Sequence, residues 1–251
     1  MKMHEYRALK AISSGEVRMI AEGKTPAHVL ARRTHSIEPN AAMILGTTVH
    51  SIVLHQPDDI VVVEHDGRTK EGKAERARAA EEKPHAQVVN SEMYAKAMDI
   101  AESVRAHPLM KDILQDAEYE VVFTEKSSKN GVPIKARADI VSGGSLFDLK
   151  TTSDASFNGF MRSIRYGGYH IQAAHYVKAA GESCDFGFIA VETEFPYMVQ
   201  VFLMGPAVMR GALMTWKGCI APLVEAETTG IWKGYSDEMV VLDQNNASEL
   251  I

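Results

Sequence analysis

From Asn40 to Pro57 the apolar residues Leu45, Val49, Ile52 and Val53 recur at helical spacing, which predicts a helix with Gly46 and His50 four apart beside that stripe. Upstream, Ser13-Ser14-Gly15 and Pro26 read as helix openings, so residues 13–55 are expected to be mainly helical. Residues 60–63 (Ile-Val-Val-Val) read as a short strand. Residues 67–84 mix charges of both signs and read as a solvated helix, and residues 91–106 as a helix through Met93, Ala97, Ile100 and Val104 that stops before Pro108. The pattern then changes to a period of two. Strands are expected at 119–123, 132–141, 146–151, 186–191 and 198–204. A helical stretch at 157–180, interrupted at Gly167-Gly168, and a last helix from 206 to about 224 complete the chain. The result is an α/β (α+β) fold, with a small sheet and helices before, within and after it. One domain spans 1–251: a helical part to about 115, a sheet core of about 116–204, and a helix and tail from 205.

The chemistry concentrates in the hairpin around Ser142-Gly143-Gly144-Ser145. If Gly143-Gly144 is a two-residue turn, 142 pairs with 145, 141 with 146 and 140 with 147, and Asp139 falls opposite Asp148. Like charges facing each other across a ladder repel, so two carboxylates placed there ask for a cation, and carboxylate oxygens are the ligands magnesium prefers. Strand alternation puts Lys150 on the face of Asp148 and turns Leu149 to the other. The flanking residues Ile140, Val141, Leu146 and Phe147 are apolar, as expected of a buried sheet whose few acids are placed.

Composition narrows the classes. Hydrophobic residues are 45% and charged residues 24%, the balance of a globular chain and not of a disordered one. Two cysteines, Cys184 and Cys219, are too few for a disulfide framework, a four-cysteine zinc site or an iron–sulfur cluster. The opening residues lack the apolar core of a signal peptide and no stretch reads as a membrane span, so a soluble, cytoplasmic protein is expected. The net charge of −6 excludes a simple nucleic-acid coat but is compatible with an enzyme that carries acids at its metals and bases only along a strand path. Gly23-Lys24-Thr25 is no phosphate loop, since Arg18 stands where that motif needs glycine.

Asp139, eight intervening residues and Asp148-Leu149-Lys150 resemble the signature of the PD-(D/E)XK nuclease superfamily. Leu45-Gly46-Thr47-Thr48-Val49-His50, Lys135-Ala136-Arg137-Ala138-Asp139, Phe147-Asp148-Leu149-Lys150-Thr151-Thr152 and Tyr169-His170-Ile171-Gln172-Ala173-Ala174-His175-Tyr176 follow in that order. They are similar to the RecE-type (exonuclease VIII-like) branch found in phages and prophages. Arg68-Thr69-Lys70-Glu71-Gly72-Lys73 and Phe188-Ile189-Ala190-Val191-Glu192 extend the likeness over most of residues 12–204. Ala138 stands where this branch commonly has proline.

The resemblance implies a restriction-endonuclease-like central mixed β-sheet flanked by helices. It implies that Asp139 and Asp148 hold one or two Mg²⁺ ions, replaceable by Mn²⁺, with the Leu149 carbonyl, His50 and Glu120 as further ligands, Glu118 competing with Glu120. Lys150 would stabilise developing charge, Gln172 would sit near the metal or the terminal nucleotide, and Tyr176 beside a base or sugar. Arg68, Lys73 and Arg165, together with Lys70 and Arg162, are candidate phosphate contacts. The implied activity is exodeoxyribonuclease action on linear double-stranded DNA ends, 5′ to 3′, leaving 3′ overhangs for a RecT-like single-strand annealing partner. A homo-oligomeric ring, tetramer before trimer, in the cytoplasm of a bacterial host goes with it. An endonuclease with the same metal site and a non-catalytic DNA-end or partner-binding module are the alternatives.

Overall fold

The computed structural model describes residues 1, 3–35, 37–55, 60–65, 69–126, 131–181 and 184–241. In chain order the elements are α1 (Met3–Ala8), β1 (Ile12–Ser13), α2 (Ser14–Ala21), α3 (Pro26–Thr34), α4 (Ala41–Val53), β2 (Ile60–Val63), α5 (Lys70–Glu82), β3 (Gln87–Asn90), α6 (Ser91–Ala106) and α7 (Pro108–Leu114). Then follow β4 (Glu118–Lys126), β5 (Pro133–Ser142), β6 (Ser145–Thr152), α8 (Phe157–Tyr166), α9 (Tyr169–Ala179), β7 (Asp185–Glu192), β8 (Val199–Leu203) and α10 (Pro206–Thr229).

Local chemistry explains most helix starts. Glu16 accepts from the Ser13 N–H at 2.6 Å and its hydroxyl at 3.0 Å, the reciprocal box that opens α2. Asn40, Thr69, Asn90 and Ser156 each cap the helix they precede by accepting the backbone N–H three residues on. Pro108 ends α6 as expected but also opens α7 at its first turn, where a missing N–H costs nothing. The charge-rich stretch does form a solvated helix, α5, with only Gly72 and Ala79 buried. The two-residue β1, the strand β3 and the helices α1 and α7 were not expected from the pattern. α10 runs on to Thr229 through Pro222.

The main sheet is mixed. Its order is β1-β5-β6-β7-β8, with β4 on the other side of β5; β2 and β3 pair separately and in parallel. β4–β5, β5–β6 and β7–β8 are antiparallel, whereas β1–β5 and β6–β7 are parallel. Alternation along β7 sends Phe186, Phe188 and Ala190 to one core and Ile189 and Val191 to the other. The first core is closed by α2, α8, α9 and α10 (Val17, Phe160, Ile171, Trp216, Leu223), the second by α4 and α6 (Val49, Ile52, Ile100, Val104). This is the central mixed sheet flanked by helices that the sequence predicts.

Buried polar contacts tie α9 to the sheet. Trp216 Nε1 donates to His175 Nδ1 at 3.1 Å, so the imidazole proton sits on Nε2 and is given to the Lys135 carbonyl at 3.0 Å. Burial of this fully enclosed ring pushes its pKa down from 6.5 to about 4. A histidine depressed in the folded state contributes stability that is complete above its unfolded pKa and is lost as pH falls from about 6.5 toward 4. Chemical denaturation across that window should show a loss of up to about 3 kcal/mol attributable to this group. His175→Gln should give a visibly shallower slope over the same window.

Candidate active site

The β5–β6 hairpin has the register derived from its glycine turn: Ser142 faces Ser145, Val141 Leu146 and Ile140 Phe147. Gly143 and Gly144 both adopt positive φ, 56° and 78°, which explains why glycine occupies the turn. The ladder stops one pair short of Asp139. There the strands fork, and the Leu149 N–H is taken by Asp139 Oδ2 at 2.8 Å. At the far end of the same edge β1 pairs with β5 at Ile134 and Lys135. Asp139 therefore lies in the crotch between two partners of one strand. On the other edge, β4 pairs with β5 on both sides of this point, Tyr119 with Ile140 and Val121 with Ala138. Glu120 stands between them with φ of +56°.

Four side chains gather on the two aspartates. His50 Nδ1 is 3.4 Å from Asp139 Oδ2. Lys150 Nζ is ion-paired with Asp148 Oδ2, and Gln172 Nε2 donates to Asp148 Oδ1 at 2.5 Å. Tyr176 interacts with the same Gln172 amide. Burial pushes the Asp139 carboxyl above its ordinary range; His50 opposes that shift, Asp148 adds to it, and Lys150 and the Leu149 N–H oppose it. The two carboxylates thus feel each other, as the hairpin arithmetic required. Burial first, then Asp148 and Asp139, push the Tyr176 hydroxyl well above 10.

Each element delivers its residue for a visible reason. A Cβ on Gly46 would stand 3.1 Å from Thr151 Oγ1, so it is the strand β6 that the glycine admits; the close approach of α4 brings His50 to the site one turn later. Gly168, with φ of +63°, starts α9, and Gln172 follows one turn on. Asp148 and Lys150 share a strand face, while Leu149 fills the opposite core.

The remaining predicted residues are distributed differently. Glu120 is ion-paired with Arg137, both largely buried, whereas Glu118 is exposed. Tyr176, expected beside a base or sugar, packs edge-on against Phe186 at 5.7 Å with 8% exposure, so its ring belongs to the core. Lys73 is exposed on α5, which packs on β2 and β3, and Arg165 is exposed on α8, its guanidinium 5.8 Å from the Tyr166 ring. Arg68 lies outside the described residues. Arg137 and Tyr169 stand within the motifs that carry the resemblance without a role; alternation from Asp139 back along β5 points to Arg137, whereas the contact of Tyr169 with Lys150 has no local signal.

The donor set fits a hard divalent cation. Two buried carboxylates, a half-buried imidazole and the Gln172 Oε1, buried without a hydrogen-bond partner among the described residues, supply oxygen and nitrogen ligands of the right kind. Among the described residues no three histidine, cysteine or carboxylate side chains already close around one point. His50 rests on Asp139 while Lys150 and Gln172 hold Asp148.

A carboxyl whose folded pKa is raised weakens the folded state once pH climbs past its unfolded value. Asp139→Asn should therefore raise the metal-free melting temperature measured in chelator. Mg²⁺ or Mn²⁺ should raise that of the native chain and not that of Asp139→Asn or Asp148→Asn.

Compared with known proteins, residues 9–245 match the family described as "PDDEXK-like domain of unknown function (DUF3799)". No curated protein matches the chain. Among solved structures, it is similar to a Eubacterium rectale protein assigned provisionally as an exonuclease, with 15% identity, a TM-score of 0.68, and coverage of 97% of this chain and 95% of that one. An alkaline exonuclease from Laribacter hongkongensis is also matched at 15% identity and a TM-score of 0.43, over 91% and 96% of the two chains. Among the described residues no helix is long and apolar enough to cross a membrane. With the family matching nearly its whole length and Asp139, Asp148 and Lys150 drawn together at the fork, the chain belongs to the PDDEXK-like DUF3799 family.

Proposed function

We propose that the protein is a divalent-metal-dependent nuclease, an exodeoxyribonuclease that works from the ends of linear duplex DNA. The observation that carries this reading is the fork of a PD-(D/E)XK-type sheet at which His50 meets Asp139 while Lys150 and Gln172 hold the neighbouring Asp148. The exonuclease descriptions of the structural neighbours agree with it, and the RecE-type order of motifs favours 5′-to-3′ polarity with 3′ overhangs handed to a RecT-like annealing protein.

Asp139 and Asp148 would hold Mg²⁺ or Mn²⁺, with His50, Glu120 and the Leu149 carbonyl as further ligands. A cation held there supplies acidity to water and offsets charge on the scissile phosphate. The chain's own residues do the rest. Lys150 presents an ammonium, three donors and no lone pair, to the phosphate oxygens as their charge grows. Gln172 fixes the Asp148 carboxylate by its 2.5 Å bond, and the Leu149 N–H fixes that of Asp139. Burial of both aspartates keeps water from screening these contacts. Lys73, Arg165 and Arg68 are the proposed phosphate contacts.

A ring-shaped homo-oligomer, tetramer before trimer, would let an acidic chain stay on DNA by enclosure. Phe195, Met198 and Leu203, exposed beside and along the edge strand β8, support self-association. Sedimentation should then show a species larger than one chain.

End-labelled linear duplex with Mg²⁺ tests the activity. The native chain should release nucleotides from ends, and Lys150→Ala and Asp148→Ala should each slow release at least ~100-fold, about 2.7 kcal/mol of barrier, with the fold kept. Equal digestion of a covalently closed circle would instead indicate an endonuclease, and no metal-dependent release at all a binding module. Normal rates in both variants would remove the site assignment.

A further inference from the structure

Lys150 has two neighbours of different chemistry. Its Nζ is ion-paired with Asp148, and it lies 4.9 Å from the centre of the Tyr169 ring. That is within the ~6 Å over which an aromatic face attracts a cation. The carboxylate is a partner that a divalent cation would share. The ring face is not, because a hard cation seeks oxygen ligands. An ammonium held by Asp148 alone would lose its anchor, and be repelled, under the conditions in which the site works.

The ring is placed to prevent this. It packs on Phe160 at 6.1 Å and Phe188 at 5.9 Å, and the Arg18 guanidinium lies 5.3 Å from its centre. A Cβ on Gly167 would stand 2.9 Å from Tyr169 Cε1 and 2.7 Å from the Ser163 carbonyl, so glycine there makes room for the ring to lie close. The two adjacent glycines have separate uses: Gly168 supplies the left-handed backbone at the start of α9, and Gly167 supplies space.

We infer that Tyr169 is a positioning residue, whose ring face keeps the Lys150 ammonium in the site independently of Asp148. The inference rests on the role proposed for Lys150 above, and it assigns the function to the π face and not to the hydroxyl.

Three forms of position 169 test it: Tyr169→Phe, Tyr169→Leu, and a polyfluorinated phenylalanine that keeps the ring's shape but removes its negative face. The first readout is the rate of reductive methylation of Lys150 in metal-free protein with chelator, followed by mass spectrometry. The second is kcat and KM on linear duplex DNA. Tyr169→Phe should match the native chain. Tyr169→Leu and the fluorinated ring should label Lys150 about 10-fold faster and lose about 10-fold in kcat at unchanged KM. If Tyr169→Leu does not fold, the fluorinated ring decides. A fluorinated ring that behaves like phenylalanine, or a Tyr169→Phe that falls with Tyr169→Leu, overturns the inference. An active Lys150→Ala would instead reject the catalytic role proposed for Lys150, and the metal-free labelling result would stand apart from it.

Discussion

Two carboxylates buried side by side are the constraint around which this fold is arranged. Burying one ionised acid is costly and burying two together more so, unless each is given partners. The hairpin meets that demand by giving up a rung of its own ladder: β5 and β6 part at Asp139, and the Leu149 N–H turns to the carboxylate. A helix from the N-terminal half brings an imidazole, the next residue on the same strand face brings an ammonium, and a helix after the sheet brings an amide. None of these elements is adjacent in sequence to all the others. The sheet is the frame that lets them meet.

The same level of the sheet carries a second irregularity. Glu120, a residue with no conformational excuse for a positive φ, sits opposite Asp139 in the left-handed region, at a cost of about 1–3 kcal/mol. Its ion pair with Arg137 fixes the turned carboxylate within the protein. Apolar positions on either side of this level enter different cores: Ile134, Ala136 and Ala138 join one and Ile140 the other. The facing of β5 changes where its aspartate projects, as bulges and kinks near active sites commonly do.

What was legible in the sequence was what short-range rules govern. Two glycines between β-rich runs determine the hairpin turn, and the turn determines which residues face each other. Apolar spacing determines which side of α4 His50 occupies. The reading failed where structure comes from distant partners. Two residues of β1 are a strand only because Ile134 and Lys135 lie beside them, and β3 is one only because β2 is there. Arithmetic placed Asp139 opposite Asp148 but could not show that the ladder would open before reaching them. Nothing local in the sequence places Lys150 beside the Tyr169 ring. Helical spacing puts Tyr176 on one face with Gln172 without saying whether protein or solvent meets that face.

The short β1 strand also bears on how the chain matures. Ile12 and Ser13 are made before the edge they complete, which belongs to β5 more than a hundred residues later, and Asp148, Gln172 and the strand β7 come later still. The residues of the candidate site thus cannot meet until β6 and α9 have been made, whatever the helices before them have already formed. A chain cut short before α9 lacks the amide that holds Asp148, and with it a helix that closes one core over the sheet.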